Sequence, residues 1–146
     1  MIRPRLLALA FTAAAALSPL APALADEDME VHDRIEQVLG SADDLDQPLL
    51  AVREAVVNGD AAALAEFVEF PLRTSDGEIA DADELADQFD SVITPAVKKA
   101  IGRMQYRDLI VNSDGVGMGN GAIWMSPICE DNACESSHWA VISINN

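Results

Sequence analysis

Apolar residues recur at helical spacing in the first part of the chain. Val31, Ile35 and Val38 lie three or four positions apart and predict a first helix, which Gly40 ends. The same spacing, with its start and stop signals, predicts two further helices: one from Asp46 to Asn58 and a short one over Ala61–Glu66, capped by Asp60.

The pattern then changes to short strands and a second pair of helices. Phe67–Leu72 predicts a strand, in which Pro71 indicates an edge or a bulge because proline cannot donate to a ladder. A turn and a short return strand are expected over 74–80. Two helix starts follow: an Asp81-x-x-Glu84 capping box and a Thr94-Pro95 pair.

The last 40 residues have the pattern of strands. Three are predicted: Tyr106–Val111, Val116–Ile128 and Trp139–Ile144. Helices, a hairpin, more helices and then a run of strands predict an α+β fold with an antiparallel sheet.

Glycines cluster in the middle of this strand region. Residues 115–122 contain G-x-G-x-x-A, but a dinucleotide site needs that motif between a strand and a helix, and Ile123 continues as strand. We interpret the glycines as a bulge that lets the sheet curl. An Asn120-Gly121 hairpin turn and a close approach of the backbone to a ligand are the alternatives.

Residues 1–25 have the features of a cleaved signal peptide. Arg3 and Arg5 precede a short apolar stretch over Leu6–Leu17, and Ala23 and Ala25 supply the small residues before the cut. A membrane anchor is the alternative, but a spanning helix needs about 20 apolar residues. We therefore expect cleavage after Ala25, a periplasmic or secreted location, and a single α+β domain over 26–146.

The remaining 121 residues are strongly acidic. The whole chain carries −16, and residues 26–146 contain 7 basic and 25 acidic residues, or −18. This charge excludes nucleic acid and an anionic membrane as partners, because both require net positive charge. It fits a basic protein partner, and adaptation to a saline habitat is the alternative.

The charged residues fall into two clusters. Seven acids over Asp76–Asp90 are interpreted as a solvated helix face, with a basic partner or calcium as alternatives, although the EF-hand pattern fails. Lys98, Lys99, Arg103 and Arg107 are interpreted as an intramolecular complement to those acids, with a small-anion site as the alternative.

Cys129 and Cys134 are expected to form a disulfide that pins a loop between two strands. An even cysteine count in an oxidising compartment favours this pairing. Metal binding with His138 is the alternative, but a closed zinc site usually needs four ligands. We therefore predict neither a metal nor a cofactor.

The segment REAVVNGDAAALAEF, residues 53–67, resembles the N-terminal helix pair of the nuclear transport factor 2-like (cystatin-like) superfamily. FPLRTSDGEI and GVGMGNGAIWMS are similar to small secreted bacterial members, so the resemblance covers most of 45–146. It implies a cone-shaped roll, in which a curved antiparallel sheet wraps around N-terminal and inserted helices and leaves a pocket. Members include isomerases, dehydratases, cyclases and non-catalytic binding domains, so the fold leaves the function open.

Few side chains are candidates for a site. His138 begins the last strand and is a weak catalytic candidate if it faces inward, whereas His32 on the first helix is expected to be exposed. Tyr106 and Trp124 are better candidates for a ligand pocket, because each combines an apolar body with a polar tip. Trp124 and Trp139 are expected on neighbouring strands, stacked across the sheet.

These observations favour a non-catalytic periplasmic or secreted binding domain for a small apolar ligand. An acidic interaction module, of inhibitor or immunity type, against a basic protein is the first alternative. A small isomerase or hydratase is the second. A homodimer is an alternative to a monomer, and no membrane partner is expected after cleavage.

Overall fold

The computed structural model describes residues 21–146, with side chains from residue 25 onward. The apolar stretch at Leu6–Leu17 therefore lies outside the described residues, and Ala25 lies within the first helix. Within the described part of the chain, no helix has the length and hydropathy of a membrane span. The helices are α1 (Ala21–Leu39), α2 (Asp46–Asn58), α3 (Ala61–Ala65), α4 (Ala82–Val92) and α5 (Pro95–Arg103).

Local capping chemistry sets the starts of three helices, as predicted. The side chain of Asp60 accepts a hydrogen bond from the Ala63 amide, and Thr94 Oγ1 accepts one from the Val97 amide. Asp81 accepts from the Glu84 amide at 2.9 Å. Each bond satisfies an amide that has no partner inside its own helix.

Six strands form one curved, unclosed sheet in the order β2-β1-β6-β5-β4-β3. With five helices beside it, this sheet confirms the α+β prediction. The strands are β1 (Val68–Thr74), β2 (Gly77–Ile79), β3 (Ile110–Asn112), β4 (Gly115–Met118), β5 (Ile123–Cys129) and β6 (Ser137–Ile144).

The prediction of an antiparallel sheet is wrong at one pair of strands. β1 runs parallel to β6, with Arg73 opposite Ser143, whereas the other four neighbouring pairs are antiparallel. Two parallel neighbouring strands must be joined by a long crossover connection. Here the connection from β1 to β6 includes α4, α5 and β3–β5 along the chain. Pairing direction between such distant segments leaves no trace in the local pattern.

β1 is also an internal strand, because it lies between β2 and β6. The edge position that Pro71 allowed is therefore wrong. The bulge alternative is confirmed, since the register with β6 shifts between Val68 and Arg73.

The predicted strand over Tyr106–Val111 begins late. Tyr106–Asp108 form a short 3₁₀ helix, and β3 starts at Ile110. The reason is local capping: Asp108 Oδ2 accepts a hydrogen bond from the Gln105 amide at 2.8 Å, which stabilises a turn rather than an extended chain.

The predicted long strand over Val116–Ile128 is two strands joined by a hairpin turn. Gly119, Asn120 and Gly121 all have positive φ, at 58°, 61° and 83°. The bulge interpretation is wrong, and the Asn120-Gly121 turn is confirmed. A Cβ added to Gly119 would lie 2.8 Å from Ile101 Cδ1, so the turn lies directly against α5.

The core lies between the helices and one face of the sheet. Apolar side chains of β4, β5 and β6 alternate toward the helices and are fully buried, and they join the inner stripes of α2, α4 and α5 in one cluster. The members from these three strands and from β1 and β2 include Leu72, Ile79, Val116, Met118, Ile123, Met125, Val141 and Ile144.

Candidate functional site

Trp124 lies on the sheet face that points away from the helices. Its neighbours Ile123 and Met125 are buried in the core, and its cross-strand partners are Ser143 on β6 and Gly117 on β4. Its indole Nε1 donates to the Gly121 carbonyl at 3.0 Å. Trp124 lines an open depression of about 360 Å³. The other residues that line it are Arg73, Asp114, Ile142, Ser143 and Asn145.

Tyr106 lies at a different place, against helix α1. Its hydroxyl is 3.4 Å from His32 Nδ1, and it lines a depression of about 270 Å³ with Asp28 and Asp46. Burial, and then the negative charges of Asp46 and Asp28, raise the pKa of Tyr106 to about 12, so the phenol is protonated at neutral pH. The structure therefore separates the two residues that were predicted to share a pocket.

His138 lies on the outer face of β6. It is opposite Ile128, and the pair Ala140 and Ser126 lies on the same face. Its Nδ1 is 3.3 Å from Glu130 Oε1, and both side chains are about half exposed. His138 therefore points away from the core.

The two tryptophans do lie on neighbouring strands, but they do not stack. Trp124 pairs with Ser143, whereas Trp139 pairs with Pro127 and is 6% exposed on the inner face. They occupy opposite faces of the sheet, at opposite ends of β5. The register irregularity explains this arrangement. Trp124 pairs with Ser143 and Met125 with Val141, so β6 has one extra residue there, and the faces of its side chains are exchanged beyond that point.

The predicted disulfide is confirmed: Cys129 and Cys134 are bonded and close the loop between β5 and β6. Inside this loop the carboxylate of Asp131 accepts hydrogen bonds from the amides of Ala133, Glu135 and Ser136. These bonds to the charged form lower the pKa of Asp131. In the described part of the chain, no three His, Cys, Asp or Glu side chains are grouped as a metal site.

A cleft of about 760 Å³ lies between this disulfide loop and the loop that joins α1 to α2. We call it the hairpin cleft. The two loops are tied together by Trp139, whose Nε1 donates to the Asp43 carbonyl at 3.2 Å. The lining residues are Leu39, Gly40, Ser41, Asp43, Asp44, Pro127, Cys129, Cys134, Glu135, Ser136, Ser137 and Trp139.

The hairpin cleft is lined by carboxylates as well as by apolar side chains. Asp43, Asp44 and Glu135 are exposed, and Trp139 is buried at the inner side. Sequence reasoning missed these carboxylates because they belong to two loops about ninety positions apart. The available signal was that both loops are short, acidic and rich in turn residues.

The two charged clusters of the sequence behave differently from one another. On α4 the side chains of Asp83, Asp87 and Asp90 are exposed, as a solvated face predicts. The basic cluster does not pair with them: among the described residues, no ion pair joins α4 to α5. Lys98 instead lies 5.6 Å from the centroid of the Phe89 ring, and Arg107 pairs with Glu27.

Comparisons of this chain with protein-family models, with curated proteins and with solved structures found no match.

Proposed function

We propose that this chain is a non-catalytic, exported binding domain that holds a positively charged segment of a protein partner in the hairpin cleft. The observation that carries the proposal is the cleft itself: exposed carboxylates from two loops line one space together with the apolar side chains of Leu39, Pro127 and Trp139. A lysine or arginine side chain has the matching form, since its aliphatic stem packs on apolar surface while its charge stays near water.

Both walls of the cleft are held in place before any partner arrives. The disulfide and the three amide bonds to Asp131 fix one loop, and the Trp139–Asp43 hydrogen bond fixes the other loop against it. A preformed site costs less ordering entropy on binding. The overall negative charge of the chain adds long-range attraction for a basic partner.

This choice differs from the small apolar ligand that the sequence favoured. An uncharged ligand would form no ion pair with the carboxylates that line the cleft, whereas a cationic ligand can pair with them. The isomerase or hydratase alternative gains no support, because His138 is half exposed, pairs with Glu130 and does not line the cleft. A proton-transfer site needs a base within reach of an enclosed substrate.

We also propose that the fold is the roll of the nuclear transport factor 2-like superfamily. The order of elements supports this: two helices and a short third one precede the β1–β2 hairpin, two helices follow, and the last four strands form an antiparallel meander. An experimental structure with the meander detached from β1 would contradict it.

Charge-matched variants test the binding proposal. Asp43→Asn/Asp44→Asn/Glu135→Gln removes the carboxylates that line the cleft, and Asp83→Asn/Asp87→Asn/Asp90→Asn removes the same charge from exposed sites on α4. The probe is a tetralysine peptide, and binding is followed by the fluorescence of Trp139 in a Trp124→Phe background.

The cleft triple variant is expected to lose at least about tenfold in affinity, and the α4 triple variant far less. Binding in the parent should weaken as salt rises. Equal losses in both triple variants would mean that only the general field of the chain attracts the peptide. An unchanged Trp139 signal during saturable binding would place the peptide elsewhere. Either result contradicts the proposal.

Export has its own test. The protein is expected to appear in the periplasm or the medium with Asp26 as its first residue, as read by N-terminal sequencing. A product that retains residues 1–25 would contradict cleavage after Ala25.

A further inference from the structure

A second cavity, of about 560 Å³, lies between helix α5 and the turn that joins β4 to β5. We call it the basic cavity. Lys99 and Arg103 lie one helical turn apart on α5 and both line it, and Asn120 of the turn also contributes. Its volume is within the range of about 300–1,000 Å³ that is typical of small-molecule sites.

The basic cavity is lined by apolar as well as by charged side chains. Ala96, Ala100 and the buried Met104 line it beside the two cations. Its shape is fixed by close packing, because a Cβ on Gly119 would lie 3.2 Å from both the carbonyl carbon and the Cβ of Ala100. The cavity therefore combines positive charge with a rigid apolar surface.

The positive charge of this cavity is not used inside the protein. Three other basic side chains have partners: Lys98 lies over Phe89, Arg53 donates to the Gly102 carbonyl at 2.8 Å, and Arg107 pairs with Glu27. For Lys99 and Arg103, the described residues 25–146 provide no ion pair. What distinguishes Lys99 and Arg103 is that two such cations lie together on one helix and line one cavity, in a chain with 25 acids and 9 bases.

One acid does line the basic cavity, and it limits the charge of the ligand. Asp108 Oδ2 accepts a hydrogen bond from the Gln105 amide at 2.8 Å, so this carboxylate is held in place at the lining. Two cations and one carboxylate leave a single positive charge in excess. A monoanion matches this balance, whereas a dianion would be repelled by Asp108 and by the acidic chain as a whole.

We propose that the basic cavity is a binding site for a small monocarboxylate with a short apolar tail. The carboxylate lies between Lys99 and Arg103, and the Asn120 carboxamide is available as a further donor. The tail packs against Ala100 and Met104. This site is separate from the hairpin cleft and takes a ligand of the opposite charge, so it stands or falls independently of the proposed function.

The test is a titration followed by amide resonances in two-dimensional NMR spectra. Benzoate is the probe, benzylamine is its charge-reversed counterpart, and inorganic phosphate at pH 8 is the dianion. Benzoate is expected to shift the amides of Ala100, Gly119 and Asn120 along a saturable curve. Phosphate should bind at least about tenfold more weakly, and benzylamine should leave these amides unchanged.

Two double variants of equal charge change separate a local site from the general field. Lys99→Gln/Arg103→Gln is expected to weaken benzoate binding at least about tenfold, whereas Arg34→Gln/Arg73→Gln, at exposed positions elsewhere, should leave it within about twofold. Circular dichroism checks that both variants are folded. The proposal would be overturned by any of three results. The amide shifts could fail to saturate as benzoate is added, phosphate could bind more tightly than benzoate, or the two double variants could lose equal affinity.

Discussion

At one end of β5 the chain turns through residues 119–122 against helix α5, and at the other end it enters the loop closed by Cys129 and Cys134. The first turn is held by backbone geometry and tight packing, since Gly119 leaves no room for a side chain. The second loop is held by a covalent bond and by the carboxylate of Asp131. The same strand thus presents two rigid ends built by different means.

The two ends also differ in charge. The basic cavity adjoins the turn, and the acidic hairpin cleft adjoins the disulfide loop. Each end has a tryptophan whose indole donates to a loop carbonyl: Trp124 to Gly121, and Trp139 to Asp43. The same strand thus has a cavity lined by two cations near one end and a cleft lined by three carboxylates near the other.

The largest effect is expected at the turn. Gly119→Ala combines a positive φ with a clash against α5, and should lower the free energy of unfolding by about 2–4 kcal/mol. Gly121→Ala also has a positive φ, but its Cβ meets only ordinary contacts, so a loss of about 1 kcal/mol is expected. Urea denaturation of both variants measures the difference. Equal losses would show that the contact with α5 contributes nothing.

The next effect is at the disulfide loop. The double variant Cys129→Ser/Cys134→Ser should lose about 2 kcal/mol, because a short closed loop restricts the unfolded chain only modestly. Thermal unfolding with and without a reductant gives the same quantity in the parent protein. A variant that fails to fold would show that the loop is more central to the structure than the turn.

The tryptophans give a smaller and more local comparison. Trp139→Phe should cost about 1 kcal/mol, because the Asp43 carbonyl loses its indole donor in a partly buried place. Trp124→Phe should cost less, since the Gly121 carbonyl keeps a hydrogen bond from Asn145 Nδ2 at 2.9 Å. Chemical denaturation of the two variants ranks them, and the reverse order would contradict this account.

The smallest effect on stability is expected at low pH, where Asp131 is protonated. The folded loop lowers the pKa of Asp131, so its contribution to stability is present above the unfolded pKa of 3.8 and is lost as the pH falls through the lower folded value. An NMR titration of its carboxyl carbon should give a midpoint below 3.8. Hydrogen exchange at the Glu135 amide should accelerate in Asp131→Asn. A midpoint at or above 3.8 would contradict the amide bonds.

Local chemistry made much of the fold predictable from the sequence. The caps at Asp60, Asp81 and Thr94 and the short cysteine spacing act over a few residues, so their signals survive in a single sequence. The glycine-rich turn was ambiguous, because the same residues allow a bulge or a hairpin.

Long-range relations were not predictable in this way. The parallel pairing of β1 with β6 and the meeting of the two acidic loops at the hairpin cleft depend on how distant segments cross in space. The chemistry of Tyr106 and Trp124 predicts a shared pocket, but the sheet places Trp124 on its outer face, and Tyr106 lies in a 3₁₀ helix near α1. The candidate sites therefore emerged only from the three-dimensional arrangement.

The position of β6 makes completion of the sheet depend on this strand. β6 is the last strand of the chain, yet it lies in the middle of the sheet and joins the β1–β2 hairpin to the β3–β5 meander. Among the described strands, those two parts are joined only through β6, so the core stays incomplete until residues 137–144 have paired. Pairing of β6 is therefore the step that unites the two parts of the sheet over one core.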